Sequence, residues 1–186
     1  MGKSTSGSLL AARGIPVIDT DELAKEESRV GSEGFVEIVD VFGPGILSPD
    51  GAIDRRRLAD LVFFDVKARQ RLEAILHPRI ARRWRDGVAA HERSASRKVA
   101  VLIPLLFERQ YEAEFTCTLS IACSLETQRF RLSDRGWSDS QIEARNAAQM
   151  PVSEKMSRAR FVVWTEGSLA SHGAQLDLIL RGLSAI

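Results

Sequence analysis

The chain has 186 residues, enough for one domain with a substantial hydrophobic core, and 44% of them are hydrophobic and 27% charged. These fractions are typical of a globular domain. The net charge of +1 excludes a strong overall field for nucleic acid or an anionic membrane, and no apolar run approaches the length of a transmembrane helix.

The first residues contain Gly2-Lys3-Ser4-Thr5, followed by a helix-forming segment. In a phosphate-binding loop, glycine lets backbone N–H groups approach phosphate, and the positive end of the next helix adds attraction. Lys3 would then reach the β- and γ-phosphates, and the Ser4 hydroxyl would bind Mg²⁺. Taken alone, four residues are better explained as a flexible polar N-terminus.

Two acids follow the first predicted strand, in Asp19-Thr20-Asp21. Ligands collect beyond the carboxyl ends of parallel strands, so we expect these acids to face Lys3. Asp21 is a candidate general base for a substrate hydroxyl, and Asp19 a candidate for Mg²⁺ binding or orientation. Helix capping is an equally good explanation of one acid, but it leaves the other unexplained.

Strands and helices are predicted to alternate along the chain. The strands are apolar at nearly every position, as in sheets covered on both faces. They are predicted at residues 15–18, 99–103, 118–122 and 161–164. An amphipathic helix from Ala68 onward is predicted to break at Pro78 and to resume through Val88, and the last helix is predicted to begin after its N-cap Ser168. The alternation predicts an α/β fold with a parallel sheet and helices on both sides.

Arginines are spaced for phosphate binding in the second half of the chain. Arg131 and Arg135 are four residues apart, so on a helix they would share one face and clasp phosphates from a mobile lid. Arg145 and Gln149 repeat this spacing on the next predicted helix. A solvated helix face explains each residue about equally well.

The cysteine and N-terminal patterns favour the cytoplasm. Cys117 and Cys123, the only cysteines, are predicted to be buried free thiols in a reducing compartment rather than a redox pair or metal ligands. The N-terminus lacks the charged-then-apolar pattern of a signal segment.

Further blocks complete a pattern that spans essentially the whole chain. In chain order the blocks are residues 2–5, 17–21 with 24–25, 42–43, 50–51 with 54–55, 76–80, 104–108, 126–128 with Arg131 and Arg135, 147–151 with Lys155, and 167–168. Their order and identity resemble those of the dephospho-CoA kinases, which are small P-loop kinases.

The resemblance implies a three-layer P-loop kinase fold in one domain over residues 1–186. It implies a helical acceptor-side insertion at about residues 54–95 and a helical lid at about 125–155. It also implies a central first strand and the first half of the phosphate loop before Met1, so we expect Met1 to be an internal methionine. A monomer is expected.

The implied reaction is ATP-dependent phosphorylation of the ribose 3′-hydroxyl of dephospho-CoA, the last step of coenzyme A biosynthesis, with ATP and Mg²⁺ bound. The residues that the resemblance assigns to ATP are Gly2, Lys3, Ser4, Thr5, Arg135, Arg145 and Thr165, with Ser4 also holding the metal. It assigns catalysis to Asp21, Lys3 and Arg135. It assigns the acceptor to Asp19, Asp21, His77, Leu106 and Glu108.

Some of these residues have a simpler explanation. Leu106 is better explained as wall and core, whereas Glu108 is expected to bond the acceptor or a lid arginine. His77 is expected to bond locally at a helix boundary rather than to act as a base. His91 and His172 lie among polar neighbours in the sequence, and no partner is predicted for either.

The chain departs from the family pattern at two places. Leu102 replaces an acid that many members carry, so no second metal-linked carboxylate is expected there. Trp164-Thr165 replaces Asp-Asn near the C-terminus, so we expect either that adenine recognition at this point is lost or that it passes to Thr165 and the backbone. Two alternatives stay open: another small-molecule P-loop kinase that acts on a nucleoside, nucleotide or metabolite hydroxyl, or a truncated, catalytically inactive relic.

Overall fold

The computed structural model describes residues 2–92 and 98–183. Their contacts gather into two compact units. Unit 1 comprises residues 2–15 and 103–183, and unit 2 comprises residues 16–92 and 98–102. The last residues of the predicted insertion, from 93 onward, lie outside the described residues, as does Met1.

Unit 1 contains α1, two strands and four further helices. Their bounds are α1 Lys3–Ala11, β3 Leu119–Ala122, α6 Leu125–Ser133, α7 Asp139–Ala147, α8 Val152–Arg158, β4 Phe161–Trp164 and α9 Leu169–Leu183, with a 3₁₀ turn at Glu112–Glu114.

Unit 2 contains two strands and four helices. Their bounds are β1 Val17–Asp19, α2 Thr20–Glu27, α3 Glu33–Phe42, α4 Arg55–Phe64, α5 Val66–Glu92 and β2 Ala100–Leu102, with a 3₁₀ turn at Pro44–Ile46. The helices α4 and α5 occupy the predicted helical insertion.

Each unit has one two-stranded parallel sheet, so the predicted parallel pairing is confirmed within each unit. In unit 2, Val17 pairs with Ala100 and Asp19 with Leu102. The strand β1 begins two residues later than predicted because Pro16 has no N–H to donate. The Pro16 carbonyl still accepts from the Ala100 N–H at 2.9 Å.

Serine and aspartate side chains cap the N-termini of several helices, and the sequence predicts one of these caps, Ser168. Ser168 accepts a hydrogen bond from the Ser171 N–H at 3.1 Å, so its predicted role as N-cap of α9 is confirmed. Ser32 caps α3, and Asp54 caps α4 by accepting from the N–H groups of Arg56 and Arg57. These bonds satisfy donors that a helix leaves without partners in its first turn.

The predicted break at Pro78 is wrong, because α5 continues through it from Val66 to Glu92. Proline removes one backbone donor from a helix, and its ring clashes with the carbonyl of the residue four positions earlier. Burial on both sides of the proline compensates, since Ile75 and Trp84 are 4% and 3% exposed. Packing of an apolar face often outweighs a local propensity of this kind.

The two units have separate cores. In unit 2 a cluster of branched side chains is nearly sealed from water: Ile38, Ile46, Ile53, Leu58 and Ile75. In unit 1 the buried positions include Val163 of β4 and Leu176 of α9. Both cysteines are free thiols, as predicted, with Cys123 buried and Cys117 half-buried. Burial raises the pKa of the Cys117 thiol.

Of the helices in residues 2–92 and 98–183, none has the length and apolar character that a membrane crossing needs.

Replacing Ile38 with alanine should destabilise the protein by about 2–5 kcal/mol, because Ile→Ala in a packed core removes buried area and leaves a cavity. Ile38 is 0% exposed and belongs to the unit 2 cluster. Val36→Ala on the same helix is the control, since Val36 is 53% exposed. Urea unfolding curves measure both, and equal losses of unfolding free energy would contradict this account.

Candidate active site

Gly2 begins the first turn of α1 in a conformation that favours glycine. It is the N-cap of α1 with φ 91°, in the left-handed region that side chains disfavour. A Cβ at this position would also lie 3.1 Å from Cγ2 of Thr165. The turn therefore needs glycine both for its backbone angle and for its close approach to Thr165.

The predicted phosphate-binding sequence does open a helix. The backbone N–H groups of Lys3, Ser4 and Thr5 lie in its first turn, where an α-helix provides no acceptor for them. The first helical bond runs from the Ser6 N–H to the Gly2 carbonyl at 2.8 Å. This geometry directs three donors away from the helix, as anion binding requires.

A cavity of about 320 Å³ lies beside this turn, within unit 1. The structure brings four of the seven predicted ATP-binding residues to its wall: Gly2, Thr5, Arg135 and Thr165. Lys3, Ser4 and Arg145 are not among the lining residues. The wall also contains apolar side chains, of which Phe130 is 74% and Leu169 60% exposed.

Arg131 is fixed against the loop that leaves β4. Its Nη1 donates to Oγ1 of Thr165 at 2.9 Å, and its Nη2 donates to the Thr165 carbonyl at 2.7 Å. Two parallel bonds hold the planar guanidinium in one orientation. Thr165 is 6% exposed, so the arginine is anchored at a buried point while its side chain lines the cavity.

The prediction that Arg131 and Arg135 share a helix face is wrong. The helix α6 ends at Ser133, and Arg135 lies in the turn that follows. Gly136, with φ 83°, terminates the helix in the usual way for glycine. Both arginines nevertheless line the same cavity.

Arg145 and Gln149 likewise do not share a helix face, because α7 ends at Ala147. The Arg145 guanidinium lies over the Trp137 ring at 5.2 Å from its centroid. This cation–π contact occupies one face of the guanidinium group.

Glu166 binds the N-terminus of α6 from the loop after β4. Its Oε1 accepts from the Ser124 N–H at 2.7 Å, and its Oε2 accepts from Nε1 of Trp164 at 3.2 Å. Hydrogen bonds from the side chain and backbone of Ser124 lower the pKa of Glu166 to about 2. A carboxylate at a helix N-terminus also gains from the helix dipole. This loop is therefore held to α6 by an ionised side chain.

Glu108 bonds a lysine rather than the predicted lid arginine. Its Oε1 lies 2.7 Å from Nζ of Lys155 and accepts from the Met150 N–H at 3.0 Å. Nζ of Lys155 also donates to the Pro104 carbonyl at 3.0 Å, and this lysine is only 9% exposed. This ion pair between a buried lysine and a half-buried glutamate ties α8 to the segment that carries Glu108.

The expectation of no partner is wrong for His172. This residue is 5% exposed, and its Nε2 lies 2.9 Å from Oγ of Ser6. Burial, and then the positive charge of Arg131, hold the pKa of His172 below its ordinary value. His172 also lines the cavity.

In unit 2 the predicted acids lie at the carboxyl end of β1, as expected. Oδ1 of Asp19 accepts from the Asp21 N–H at 2.9 Å and caps α2, while Asp21 is exposed in the first turn of α2. The Thr20 hydroxyl donates to the Leu102 carbonyl at 2.9 Å, which fastens this turn to the end of β2. Capping thus accounts for the orientation of Asp19 and leaves the Asp21 carboxylate outside the cap.

Two further predicted acceptor residues are half-buried. His77 lies inside α5 and not at a helix boundary, because the helix passes through Pro78. Leu106 lies in the turn after β2, and its carbonyl accepts from the Tyr111 N–H at 3.0 Å.

The residues present fit Mg²⁺ bound together with a nucleotide. Within the described ranges, 2–92 and 98–183, no three His, Cys, Asp or Glu side chains gather as a metal cage. Mg²⁺ usually takes one or two protein ligands and fills its remaining positions with water and phosphate oxygens. The exposed Ser4 hydroxyl, in the first turn of α1, suits that mode.

Sequence reasoning assigned no role to three residues that organise the site: His172, Lys155 and Glu166. Helical spacing could have identified His172, since it precedes the buried Leu176 by four residues and Ile179 by seven. Lys155 and Glu166 have no such pattern, because their partners are distant in the sequence.

Known proteins match nearly the whole chain. The family model described as dephospho-CoA kinase (CoaE) matches residues 1–171. A dephospho-CoA kinase of Bdellovibrio bacteriovorus is 36% identical over 185 residues, which cover 100% of this chain and 92% of the relative. One of Anaeromyxobacter dehalogenans is 39% identical, with 98% of this chain and 87% of the relative covered.

Solved structures share the fold. The crystal structure of TT1252 from Thermus thermophilus has a TM-score of 0.79 at 37% identity, covering 98% of this chain and 92% of that one. A dephospho-CoA kinase from Campylobacter jejuni has a TM-score of 0.71 over 99% of this chain and 92% of that one. At 24% identity, the second likeness concerns the fold alone. The predicted α/β fold class is confirmed.

Replacing Glu166 with glutamine should lower the melting temperature at pH 7 and have less effect in acid. The folded-state pKa of about 2 lies below the ordinary 4.5, so the carboxylate stabilises the folded protein above pH 4.5. That contribution is lost as the pH falls through about 2. Melting curves of both proteins from pH 7 to pH 2.5 measure the difference.

The same exchange at Glu126, exposed in the first turn of α6, controls for a general change of charge near this helix. A Glu166 effect that stays constant over this pH range would show that its ionised form is not what stabilises the loop.

Proposed function

The chain belongs to the dephospho-CoA kinase family, and from this premise we propose how its residues phosphorylate dephospho-CoA. The reaction transfers the γ-phosphoryl group of ATP to the ribose 3′-hydroxyl and is the last step of coenzyme A biosynthesis. The cavity of unit 1 supports the proposal most directly, because a helix N-terminus and two arginines converge there. The comparisons give no support to the relic or to another acceptor.

ATP would place its phosphates on the first turn of α1. The backbone N–H groups of Lys3, Ser4 and Thr5 point out of that turn, and the helix dipole favours negative charge there. The Lys3 ammonium would bind the β- and γ-phosphates. Arg135 would add positive charge from the turn after α6 as charge develops on the transferring group.

Adenine recognition would fall to the loop after β4. Thr165 lies against both Gly2 and Arg131, so a nucleotide on the α1 turn would have its base near this loop. Arg145 remains a proposed nucleotide contact from the lid. It would reach ATP from its position over the Trp137 ring as the lid closes.

Ser4 would hold Mg²⁺ through its hydroxyl, and the bound metal would offset charge on the β- and γ-phosphates. The protein's own part is to present that hydroxyl beside the three N–H donors of the same turn.

Asp21 would accept or orient the proton of the ribose 3′-hydroxyl. A carboxylate in the first turn of a helix that follows a parallel strand lies where α/β proteins bind their ligands. Asp19 would hold the acceptor from the same edge, and its hydrogen bond to the Asp21 N–H pre-sets the turn. His77, Leu106 and Glu108 would line the path of the acceptor.

Closure over the substrates would exclude water, which otherwise competes for the phosphoryl group. We place the acceptor-side insertion at residues 54–95 and the lid at 125–155 of one domain. The ion pair of Glu108 and Lys155 would serve as the fixed base of the lid. We further propose a cytoplasmic monomer whose substrates are small molecules.

A coupled assay of ADP release with different acceptors tests the function. We expect turnover with dephospho-CoA and none with coenzyme A, whose 3′-position already carries the phosphate. Adenosine and AMP represent the nucleoside and nucleotide acceptors of other P-loop kinases. Faster turnover with either of them than with dephospho-CoA would overturn the assignment.

Asp21→Asn should reduce kcat by about 10²–10⁴-fold while ATP affinity stays unchanged, because the amide cannot accept the proton. The control is Glu22→Gln, which neutralises the adjacent exposed acid of α2. Steady-state kinetics and calorimetric ATP titration check both variants. An Asp21→Asn enzyme with normal kcat would remove Asp21 from this role.

A further inference from the structure

Two hydrogen bonds, of which the first is buried and the second partly buried, connect α9 with the turn that begins α1. Nε2 of His172 lies 2.9 Å from Oγ of Ser6, and that hydroxyl donates to the Gly2 carbonyl at 3.1 Å. Ser6 is 1% exposed and His172 5%. Because both side chains are largely buried, each depends mainly on these contacts for its hydrogen bonds.

The number of available protons limits the direction of these two hydrogen bonds. A serine hydroxyl has one proton to donate. With that proton on the Gly2 carbonyl, at 3.1 Å, the Ser6 oxygen would accept from Nε2 of His172. In this arrangement the imidazole ring carries a proton on Nε2, and in the neutral ring Nδ1 is left as an acceptor. The two hydrogen bonds then run from His172 to Ser6 and from Ser6 to Gly2.

Gly2 is the point at which this chain affects the phosphate-binding turn. Its carbonyl accepts from both the N–H of Ser6, at 2.8 Å, and the hydroxyl of Ser6. That carbonyl belongs to the same planar trans peptide group as the Lys3 N–H, so the two point in opposite directions. Holding the carbonyl toward Ser6 therefore directs the Lys3 N–H out of the turn.

We propose that His172 is a positioning residue for phosphoryl transfer, acting through Ser6 to hold the Gly2–Lys3 peptide with its N–H toward the phosphates of ATP. The inference rests on the proposed function. Gly2 has a left-handed backbone, with φ 91°. Because a glycine can adopt several other backbone conformations, the hydrogen bond from Ser6 helps to keep it in this one. His172 acts without touching the reacting atoms.

A role in the core alone predicts a different result. Loss of a buried hydrogen bond would then lower the melting temperature and leave the folded enzyme's kinetics unchanged. Positioning predicts a loss that grows with the number of phosphates on the ligand. Affinity for ADP should fall, whereas affinity for adenosine, which has no phosphate, should stay the same.

The decisive variants are His172→Leu, which removes the donor, and His172→Gln, whose amide N–H can replace Nε2. For His172→Leu we expect kcat/KM for ATP to fall about tenfold, in line with a buried acceptor left unpaired. KM for dephospho-CoA should be unchanged, and His172→Gln should recover most of the loss. Ser6→Ala should match His172→Leu, because it removes the middle of the chain.

Ser8→Ala is the matched control. Its hydroxyl donates to the Ser4 carbonyl at 3.2 Å, a bond of the same kind on the exposed face of the same helix. This variant should have normal kcat/KM. A His172→Leu enzyme with a lower melting temperature but normal kinetics and normal ADP affinity would overturn the inference.

Nitrogen NMR of the wild-type protein measures the tautomer of His172 directly. The protein has three histidines, and comparison with His172→Gln assigns the signal. We expect the Nε2–H tautomer for His172, and the Nδ1–H tautomer would contradict the chain. ADP affinity and tautomer do not depend on the acceptor, so failure of the proposed function is distinguishable from failure of this inference.

Discussion

The parallel pairing of β3 with β4 is the constraint on which the site in unit 1 depends. Ala122 lies opposite Trp164, so the segments that leave the two strands start at the same edge. The Thr165 N–H continues the ladder by donating to the Ala122 carbonyl at 2.8 Å. That bond holds Thr165 between Gly2 and Arg131, and the cavity forms around it. A shift of one residue in this register would turn Thr165 to the opposite face.

Polar and charged groups at the cavity and in the adjoining loop are oriented before any ligand arrives. Arg131 is fixed by two hydrogen bonds to Thr165, and Glu166 is fixed on α6 in its ionised form. Burial, and then the nearby Arg131, hold the pKa of His172 below its ordinary value, which favours the neutral ring. A preorganised donor such as the Arg131 guanidinium stabilises developing charge without reorganising during the reaction. The free energy needed to hold these groups in place is supplied on folding, by the same packing that buries Thr165 and His172.

The sequence was sufficient for features that depend on neighbouring residues. Apolar runs predicted the strands, and the Ser168 cap and the Gly2-Lys3-Ser4-Thr5 helix start follow from local hydrogen bonding. It failed where a distant contact decides the outcome. Burial carries α5 through Pro78, and the partner of His172 is 166 residues away. The end of α6 before Arg135 was predictable, since Gly136 follows directly and commonly terminates a helix.

Gln175 of α9 closes part of the outer edge of β4. Its Oε1 accepts from the Trp164 N–H at 2.9 Å, and its Nε2 donates to the Trp164 carbonyl at 2.8 Å. One side-chain amide thus occupies both backbone groups that a neighbouring strand would use. Exposed strand edges are where chains join into aggregates. At Trp164 an incoming strand must first displace this amide, so the helix that helps to form the cavity also protects the sheet from intermolecular pairing.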